Sequence, residues 1–427
     1  MSEIKDIPEH WQIKKLGEVC AILSGYGFPK NIQGSSSGEF PFYKVGDISK
    51  NVKAGYRTLN LCDNYIDAKT LLNLKAKPFP INTIVFAKIG EGLKLNRRAI
   101  LGIPGIVDNN VVGVKAIENV CDDMFLFNFL TTVKLEDYSK ATTVPSVRKS
   151  EIEQILFPLP PLPEQQVIVA KIEELLSELD NGKQQLQTAL QQLKVYRQSL
   201  LKWAFEGKLT HTNVKEGELP DGWMWVKPEE IAIQEKYSIG IGPFGSNLKV
   251  SDYQPSGVPL IFVKNITRRD FSLAQRFISK DKLKELYPHA VRPLDILITK
   301  MGDPPGDCAI YPESYPEAVI TSDCLKLRVN EKVASRNFIY YVLQTQLIKR
   351  QFELITKGVA QKKISLQRFK SIEMPLPPLE EQNCIVDELE SKLTICDKVE
   401  ETIKLSLQQA ETLRQSILKK AFEGKLV

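Results

Sequence analysis

Apolar residues recur at a three/four spacing along two stretches of the chain. In the first stretch the repeating positions are Val169, Ile172, Leu176, Leu179, Leu186, Leu190, Leu193 and Leu200. This spacing is typical of a coiled-coil seam. Prolines precede the stretch and Gly207 follows it, so the pattern predicts one helix over 164–206, about 64 Å long at 1.5 Å per residue.

The second stretch is a copy of the first. Segment 157–210 begins FPLPPLPEQ and ends AFEGKLT, while segment 374–427 begins MPLPPLEEQ and ends AFEGKLV. The two align without a gap at an offset of 217 residues, and about half of the positions are identical. Upstream, PEHW (8–11) matches PDGW (220–223), and IVFAKIG (84–90) matches ILITKMG (296–302). The chain is therefore predicted to be a duplicated unit of about 210 residues.

The two helices are predicted to pair, because a helix this long needs a partner for its apolar stripe. Both seams are interrupted at equivalent places, by Lys183 and Glu400 and by Arg197 and Arg414. An antiparallel pair makes Lys183 and Glu400 neighbours, whereas a parallel pair also sets Arg197 against Arg414. We predict an antiparallel coiled coil; docking of each helix on its own globular half is the alternative. The predicted pairing residues are Ile172, Leu179, Lys183, Leu186, Leu193, Leu389, Leu393, Glu400, Ile403 and Leu407.

The segments between the helices have a different pattern. Short β-rich runs such as 83–89, 106–114, 295–301 and 324–329 are separated by Gly, Pro and Asn, with helical stretches at 124–135 and 334–353. This mixture predicts α+β globular halves. The predicted domains are a globular half at 1–156, a helical segment at 157–210, a globular half at 211–373 and a helical segment at 374–427.

Composition excludes several classes of protein. With 427 residues, 43% hydrophobic and 26% charged, the chain is not a disordered protein, a collagen-like repeat or a disulfide scaffold. The seven dispersed cysteines and the absence of a long apolar run or an apolar leader predict a soluble, cytoplasmic protein with reduced thiols.

The formal net charge of +5 is small, but its distribution is uneven. The globular halves carry +3 and +5, whereas the helical segments carry 0 and −3. Basic clusters in the halves suit phosphate contacts, although a solvated surface explains any single cluster equally well. The candidates are Lys88, Lys94, Arg97, Arg98, Arg148, Lys149, Lys264, Arg268, Arg269, Lys300, Lys362 and Lys363.

Motifs for catalysis are absent from the sequence or lack their context. GIGPFG (240–245) satisfies G-x-G-x-x-G, but no helix pattern follows it, so a nucleotide site is not predicted. GDPPGD (302–307) has Gly306 where a DNA amino-methyltransferase carries an aromatic residue. The three histidines are too far apart to suggest a metal site, and acid–lysine pairs such as Glu91/Lys94 lack the clustered carboxylates of a nuclease.

Two basic halves, two similar long helices and no catalytic motif together resemble one family. PLPPLPEQ (158–165), PLPPLEEQ (375–382), the two AFEGKL ends, the PEHW and PDGW openings and GPFGSNLK (242–249) are similar to the specificity subunit of type I restriction-modification systems. The resemblance covers the whole chain. One departure is Asn181-Gly182 in mid-helix, which puts the straightness of the first helix in doubt.

The resemblance implies a division of labour. Each globular half would be a target recognition domain that reads one part of a split double-stranded DNA site. The helices would set the distance between the two parts and hold two modification subunits. The chain would be non-catalytic and carry no cofactor or metal, while S-adenosylmethionine, ATP and Mg²⁺ would belong to the modification and restriction/translocase subunits. A stand-alone DNA methyltransferase or nuclease, and a coiled-coil scaffold without a DNA role, are the alternatives.

Overall fold

The structure, a computed structural model, describes residues 7–139, 144–215, 217–273, 275–356 and 362–427. The chain divides into two compact units, one of residues 1–187 with 404–427 and one of residues 188–403. Each long helix contributes residues to both units. The units are therefore described one at a time.

The strands of the first unit form three sheets. In chain order they are β1 (Gln12–Lys15), β2 (Cys20–Ser24), β3 (Phe40–Tyr43), β4 (Thr58–Leu59), β5 (Tyr65–Ile66), β6 (Ile84–Ala87), β7 (Ala99–Leu101), β8 (Ile106–Val107), β9 (Val111–Ala116) and β10 (Leu156–Leu159). The sheets have the orders β2-β9-β6-β7-β4, β5-β3-β8 and β1-β10.

The helices of the first unit are short until the last. They are α1 (Leu16–Val19), α2 (Val45–Lys53), α3 (Ala68–Asn73), α4 (Glu91–Lys94), α5 (Asp123–Thr132), α6 (Lys149–Glu153) and α7 (Leu162–Phe205), with 3-10 turns at Lys30–Ile32 and Leu135–Tyr138. α7 begins two residues before the predicted start, because Pro163 lies in the first turn, where its missing N–H has no intrahelical acceptor. It runs through Gly182 without a break.

The strands of the second unit also form three sheets. They are β11 (Met224–Val226), β12 (Ile239–Ile241), β13 (Val258–Ile261), β14 (Phe277–Ile278), β15 (Ala290–Val291), β16 (Ile296–Thr299), β17 (Cys308–Ile310), β18 (Ala318–Ile320), β19 (Cys324–Leu327) and β20 (Met374–Leu376). The sheets have the orders β12-β19-β16-β17, β14-β13-β18-β15 and β11-β20.

The helices of the second unit again end with a long one. They are α8 (Pro228–Ile231), α9 (Val263–Arg268), α10 (Lys280–Glu285), α11 (Arg336–Val342), α12 (Gln346–Ile355), α13 (Leu366–Phe369) and α14 (Leu379–Phe422), with 3-10 turns at Val250–Asp252 and Tyr287–His289. The helical stretch predicted at 334–353 is two helices, which Thr345 separates by capping α12 with its side-chain oxygen.

The sheets of the two units have the same topology. The order β2-β9-β6-β7 corresponds to β12-β19-β16-β17, and β5-β3-β8 corresponds to β14-β13-β18. The β1-β10 pair corresponds to β11-β20; β4 and β15 are additional edge strands. The predicted duplication and the predicted α+β class are thus confirmed.

The Pro-Pro-Leu-x-Glu-Gln motif joins each globular part to its long helix. Gln165 is fully buried, and its side chain bonds to the backbone of Pro160, Val120 and Asp122 at 2.8–3.1 Å. Gln382, its equivalent, is also fully buried and accepts a hydrogen bond from the Ser335 backbone N–H at 2.7 Å. The motif is therefore a structural joint.

The preceding glutamate anchors the start of each unit. Glu164 accepts hydrogen bonds from Trp11 Nε1 and contacts His10 Nε2, both at 2.8 Å. Glu381 accepts from Trp223 Nε1 at 3.0 Å. These bonds explain why the tryptophans of PEHW and PDGW recur with the helix motif.

The glycine of each AFEGKL end adopts a left-handed conformation that terminates the helix. Gly207 has φ +76° and Gly424 has φ +68°. A Cβ atom on Gly207 would lie 2.2 Å from Pro220 Cγ, and one on Gly424 would lie 2.3 Å from Pro8 Cγ. The proline of each opening motif therefore packs where only glycine leaves room.

The long helices run antiparallel within the first unit. Lys183 of α7 pairs with Glu411 of α14 at 3.1 Å, and Asp180 pairs with Arg414. Near the globular part, Ile168 and Ile172 share a buried cluster with Leu418, Ala421 and Phe422.

They are also antiparallel within the second unit. Arg197 of α7 pairs with Asp397 at 2.6 Å and with Glu400 at 3.2 Å. The Arg197–Asp397 pair is the repeat equivalent of Arg414–Asp180, so the duplication makes the same ion pair twice. The predicted antiparallel pairing is confirmed.

The predicted pairing residues lie on the less exposed face of the helices. Each of the ten is buried or half-buried. The Lys183–Glu400 contact joins residues of different units and stays a prediction; within its own unit each of these residues has another partner.

Candidate nucleic-acid interface

Five segments of the first unit meet at one edge of its sheets. The carboxyl ends of β2, β3, β6 and β8 lie there, and a fifth segment approaches from the end of the globular part. We call residues 25–28, 44–47, 88–92, 108–110 and 145–147 the first loop edge. Its backbone hydrogen bonds run from N–H to C=O as Tyr26–Val107 (2.9 Å), Asp108–Tyr43 (3.0 Å), Lys88–Asn110 (2.9 Å), Gly90–Pro145 (2.8 Å) and Val147–Lys88 (2.9 Å).

The second unit has an equivalent edge. We call residues 242–245, 262–268, 300–303, 321–323 and 362–364 the second loop edge. Its backbone hydrogen bonds are Gly242–Cys324 (3.1 Å), Thr321–Ile261 (3.0 Å), Lys300–Asp323 (2.7 Å), Gly302–Lys362 (3.5 Å) and Ile364–Lys300 (3.0 Å). Four of these correspond one by one to bonds of the first loop edge. The duplication therefore supplies each unit with the same set of convergent loops.

A groove runs along the second loop edge at the start of α9. Its lining comprises Phe262, Val263, Lys264, Thr267, Arg268, Thr321 and Asp323. Lys264 and Arg268 are exposed, so their charged ends face solvent at this groove. A basic groove with an aromatic wall is suited to a phosphate backbone.

Three predicted lysines come together at the second loop edge. Lys300 is half-buried and donates to the Ser322 carbonyl at 3.0 Å. Burial lowers the pKa of Lys300, the negative charge of Asp323 opposes this, and the positive charge of Lys363 adds to the lowering. Lys362 pairs with Asp303 at 2.8 Å, and this hydrogen bond raises the pKa of Lys362. Although 62 residues separate Lys300 from Lys362, the pairing of their backbones makes them neighbours.

Arg269 differs from the other predicted residues of its cluster. It caps α9 in a left-handed conformation with φ 52°. Its guanidinium donates to Gln344 Oε1 at 2.6 Å and lies 5.5 Å from the centre of the Tyr340 ring. Arg269 is thus engaged with the protein, whereas Arg268 beside it has no ion pair among the described residues.

The first loop edge carries fewer basic side chains. Lys88, the equivalent of Lys300, is half-buried, but Pro145 and Ser146 stand where the second edge has Lys362 and Lys363. Lys44 lies on this edge, donating to Gln33 Oε1 at 2.7 Å and sitting 4.9 Å from the Phe28 ring centre. The sequence reasoning missed Lys44 because it is a single lysine outside any cluster.

The cluster at 94–98 is divided by the fold. Lys94 is exposed and pairs with Glu91 at 2.7 Å, which raises the pKa of Lys94. Arg97 is half-buried. Because α4 follows β6 whereas α9 follows β13, the Lys94 and Lys264 clusters occupy different elements of the repeat.

The structure corrects the prediction for Arg98. Its side chain is 5% exposed, its guanidinium lies 4.5 Å from the Phe86 ring centre, and it donates to the Val133 carbonyl at 3.2 Å. Burial lowers the pKa of Arg98 to about 9. A side chain enclosed in this way cannot reach a phosphate, so Arg98 is a core residue.

The remaining predicted pair lies at the start of α6. Arg148 and Lys149 are exposed, and Lys149 lies 3.7 Å from Glu153. Arg148 directly follows Val147, which bonds to Lys88, so it borders the first loop edge.

The sequence motifs that lacked catalytic context lie in loops. GIGPFG spans the end of β12 and the loop after it, with no α-helix until α9. GDPPGD forms the turn between β16 and β17, where a Cβ on Gly306 would lie 2.4 Å from the Phe352 ring. Among the described residues, no group of three or more His, Cys, Asp or Glu side chains could hold a metal ion. None of the helices in the described part of the chain has the length and apolar composition of a membrane span.

Comparison with protein families gives a match over most of the chain. Residues 8–191 and 264–409 match the family described as type I restriction modification DNA specificity domain. The matched ranges include both loop edges apart from residues 242–245 and 262–263. The chain belongs to this specificity family.

Individual members of the specificity family match nearly the whole chain. The type I restriction enzyme EcoBI specificity subunit of Escherichia coli is 25% identical over 438 residues, which cover 98% of this chain and 87% of that protein. The MjaVIII specificity subunit of Methanocaldococcus jannaschii is 22% identical, covering 98% and 94% of the two chains.

A solved structure shares the fold of this specificity-family chain. The crystal structure of the HsdS subunit from Thermoanaerobacter tengcongensis has a TM-score of 0.63 and 22% identity, with 98% of each chain covered. The fold class predicted from the resemblance is therefore confirmed.

Proposed function

We propose that this chain is the DNA-reading subunit of a type I restriction-modification complex, and that each loop edge reads one part of a split double-stranded site. The observation that carries the proposal is the repetition of the loop edge, with four equivalent backbone hydrogen bonds in both units. Equivalent scaffolds with different side chains suit two half-sites of different sequence.

The phosphate contacts of the proposal come from exposed or half-buried basic residues. On or beside the second loop edge these are Lys264, Arg268, Lys300, Lys362 and Lys363; on or beside the first they are Lys44, Lys88, Lys94, Arg97, Arg148 and Lys149. The second loop edge itself carries five basic residues, whereas the first carries two, Lys44 and Lys88. We therefore assign the larger share of the electrostatic affinity to the second loop edge.

The chain has four functional segments in this proposal, with the bounds predicted from the sequence. Segments 1–156 and 211–373 are the two target recognition domains, and segments 157–210 and 374–427 are the helices that set their spacing. Two modification subunits bind the helices, on surfaces that the repeat makes equivalent, and restriction/translocase subunits join the complex. Tyr196 and Leu413 occupy equivalent positions and are 45% and 51% exposed, which makes them candidates for these surfaces.

The catalytic steps belong to the partners in this proposal. Methyl transfer from S-adenosylmethionine, ATP-driven translocation and DNA cleavage lie on the other subunits, and this chain works in the cytoplasm as a non-catalytic reader. Methyl transfer by this chain in the absence of a modification subunit would contradict the proposal.

The test uses the full chain bound to its modification subunits. The double variant Lys264→Ala/Arg268→Ala is expected to weaken binding to all DNA sequences alike and to reduce the slope of log affinity against log salt by about 1–2, one per lost phosphate contact. Fluorescence anisotropy over a salt series measures both quantities.

The matched control removes two lysines outside the loop edges. Lys280 and Lys284 are exposed on α10, and Lys280→Ala/Lys284→Ala is expected to leave the slope unchanged. If the two double variants have equal slopes, the second loop edge does not contact phosphates.

A further inference from the structure

An exposed carboxylate occupies the same place on both loop edges. After β6 the chain reads Lys88-Ile89-Gly90-Glu91, and after β16 it reads Lys300-Met301-Gly302-Asp303. The glycine of each turn donates its N–H across the edge, Gly90 to Pro145 and Gly302 to Lys362. Glu91 and Asp303 are therefore held at equivalent points of two equivalent scaffolds.

Each carboxylate is bound by one lysine, but the two lysines come from unrelated positions. Glu91 pairs with Lys94, three residues further along α4, at 2.7 Å. Asp303 pairs with Lys362, which reaches it from the end of the globular part, at 2.8 Å. The carboxylate occupies the same position on both loop edges, whereas its lysine partner comes from a different position on each. The carboxylate is therefore the feature that the two edges share.

The carboxylates remain accessible despite these pairs. The side chains of Glu91 and Asp303 are both 81% exposed. An exposed negative charge among phosphate-binding residues repels the DNA backbone, and Coulomb repulsion between like charges lowers affinity for every sequence. A carboxylate at this place contributes to binding only through a hydrogen bond that a base donates.

The chemistry of the major groove selects the base. A carboxylate only accepts hydrogen bonds, and cytosine presents the N4 amino group as a donor. In adenine the N6 donor lies beside the N7 acceptor, and N7 repels a carboxylate oxygen. Guanine presents the acceptors N7 and O6 in the major groove, and thymine presents the acceptor O4. Cytosine is therefore the base that fits.

We propose that Glu91 and Asp303 are specificity-determining residues, each of which accepts a hydrogen bond from the N4 amino group of a cytosine, one in each half-site. Lys94 and Lys362 orient the carboxylates and offset their charge before DNA arrives. This inference rests on the proposed function, because it requires that each loop edge read one half-site.

The test is selection of bound sequences from a randomised DNA library by the full chain with its modification subunits. Glu91→Gln and Asp303→Asn keep the shape of each side chain but allow it to donate as well as accept. Each variant is expected to lose about tenfold or more of its discrimination for cytosine at one position. Glu91→Gln affects one half-site only, and Asp303→Asn affects the other.

Two exposed carboxylates away from the loop edges serve as controls. Glu118 follows the end of β9 that lies opposite the first loop edge, and Asp281 on α10 pairs with Lys284 and is 87% exposed. Glu118→Gln and Asp281→Asn are expected to select the same sequences as the unaltered chain.

The outcomes separate this inference from the proposed function. If the unaltered complex selects no bipartite site, the proposed function fails. If it selects one, and Glu91→Gln and Asp303→Asn select the same bases at every position with unchanged or higher affinity, the carboxylates only repel phosphate and the inference is overturned. Loss of discrimination at a base other than cytosine overturns it equally.

Discussion

At the scale of single residues, the structure buries three basic side chains among the residues that it describes, those of Arg98, Lys326 and Arg328. Arg98 stands on the Phe86 ring, and Lys326, 1% exposed in the middle of β19, donates from Nζ to the Ala290 carbonyl. Burial lowers the pKa of Lys326 to about 8, with Arg328 and Arg292 adding to the lowering and Asp295 and Glu317 opposing it. Because burial removes the hydration of the ammonium group, the folded protein is less stable when Lys326 is protonated.

The stability of the second unit is therefore expected to rise with pH through the titration of Lys326. The folded pKa of about 8 lies below the ordinary lysine value of 10.5, so between these values the unfolded chain binds more protons. The contribution of Lys326 to the free energy of unfolding increases across that window by up to about 3 kcal/mol. Denaturant unfolding at pH 7 and pH 9.5, compared with Lys326→Met, measures it.

The comparison with the variant is needed because other groups titrate in the same range. Burial raises the pKa of Cys308 and of Cys324 to about 12, and such groups lower stability as pH rises above their unfolded pKa. Lys326→Met leaves these groups in place. A difference in stability between the two proteins that is constant with pH would contradict the prediction.

Sequence could identify the basic clusters but not which members face solvent. Lys300, Lys362 and Lys363 were singled out separately, and only the backbone pairing of Ile364 with Lys300 makes them one surface. The burial of Arg98 depends on Val133, 35 residues away, and on Phe86 in β6. Such contacts are set by tertiary packing, which a local pattern does not contain.

At the scale of elements, the long helices follow closely from the sequence. The predicted span 164–206 agrees with α7 at Leu162–Phe205 to within two residues at each end. Heptad spacing and a terminal glycine determine a helix through neighbouring residues, so they can be read from the sequence. The Gln165 and Gln382 joints could not be derived in this way, since each glutamine also bonds to a loop that is more than 40 residues away in the sequence. The repeated motif was visible, but its structural role was not.

Gly182 is expected to be replaceable with a gain in stability. It lies within the uninterrupted α7, and a Cβ there would meet no heavy atom within 4 Å. Gly182→Ala removes the high backbone entropy of glycine in the unfolded chain and should stabilise the protein by about 0.5–1 kcal/mol. Thermal unfolding of the two proteins checks this value.

Gly207 is the matched control for that substitution. At Gly207 the positive φ and the contact with Pro220 make alanine unfavourable, so Gly207→Ala should lower the melting temperature. If Gly182→Ala destabilises the protein as Gly207→Ala does, then Gly182 has a role that requires glycine, such as a bend in the helix.

At the scale of the whole molecule, the duplication explains the uneven charge. The net charges of +3 and +5 lie on the globular halves that carry the loop edges, while the helical segments carry 0 and −3. Charged residues of the two long helices form ion pairs with each other, as in Asp180–Arg414 and Arg197–Asp397. The total of +5 is therefore the sum of two basic globular halves and two helical segments that are neutral or acidic.

If the helices set the distance between half-sites, lengthening both should change the spacer that is recognised. Gln187 and Lys404 are exposed and equivalent in the repeat, so one heptad inserted after each keeps both seams in register. Seven residues add about 10 Å, which corresponds to about 3 base pairs at 3.4 Å each. Selection from a library with random spacers should therefore shift toward sites about 3 base pairs longer. Affinity should also fall, because 3 base pairs rotate the half-sites by roughly 100° about the duplex while a heptad hardly rotates the coiled coil.

A heptad inserted in α7 alone is the control for this prediction. It puts the two seams out of register and should abolish selection. Selection of the original spacer by the doubly lengthened protein would show that the helices do not set the distance.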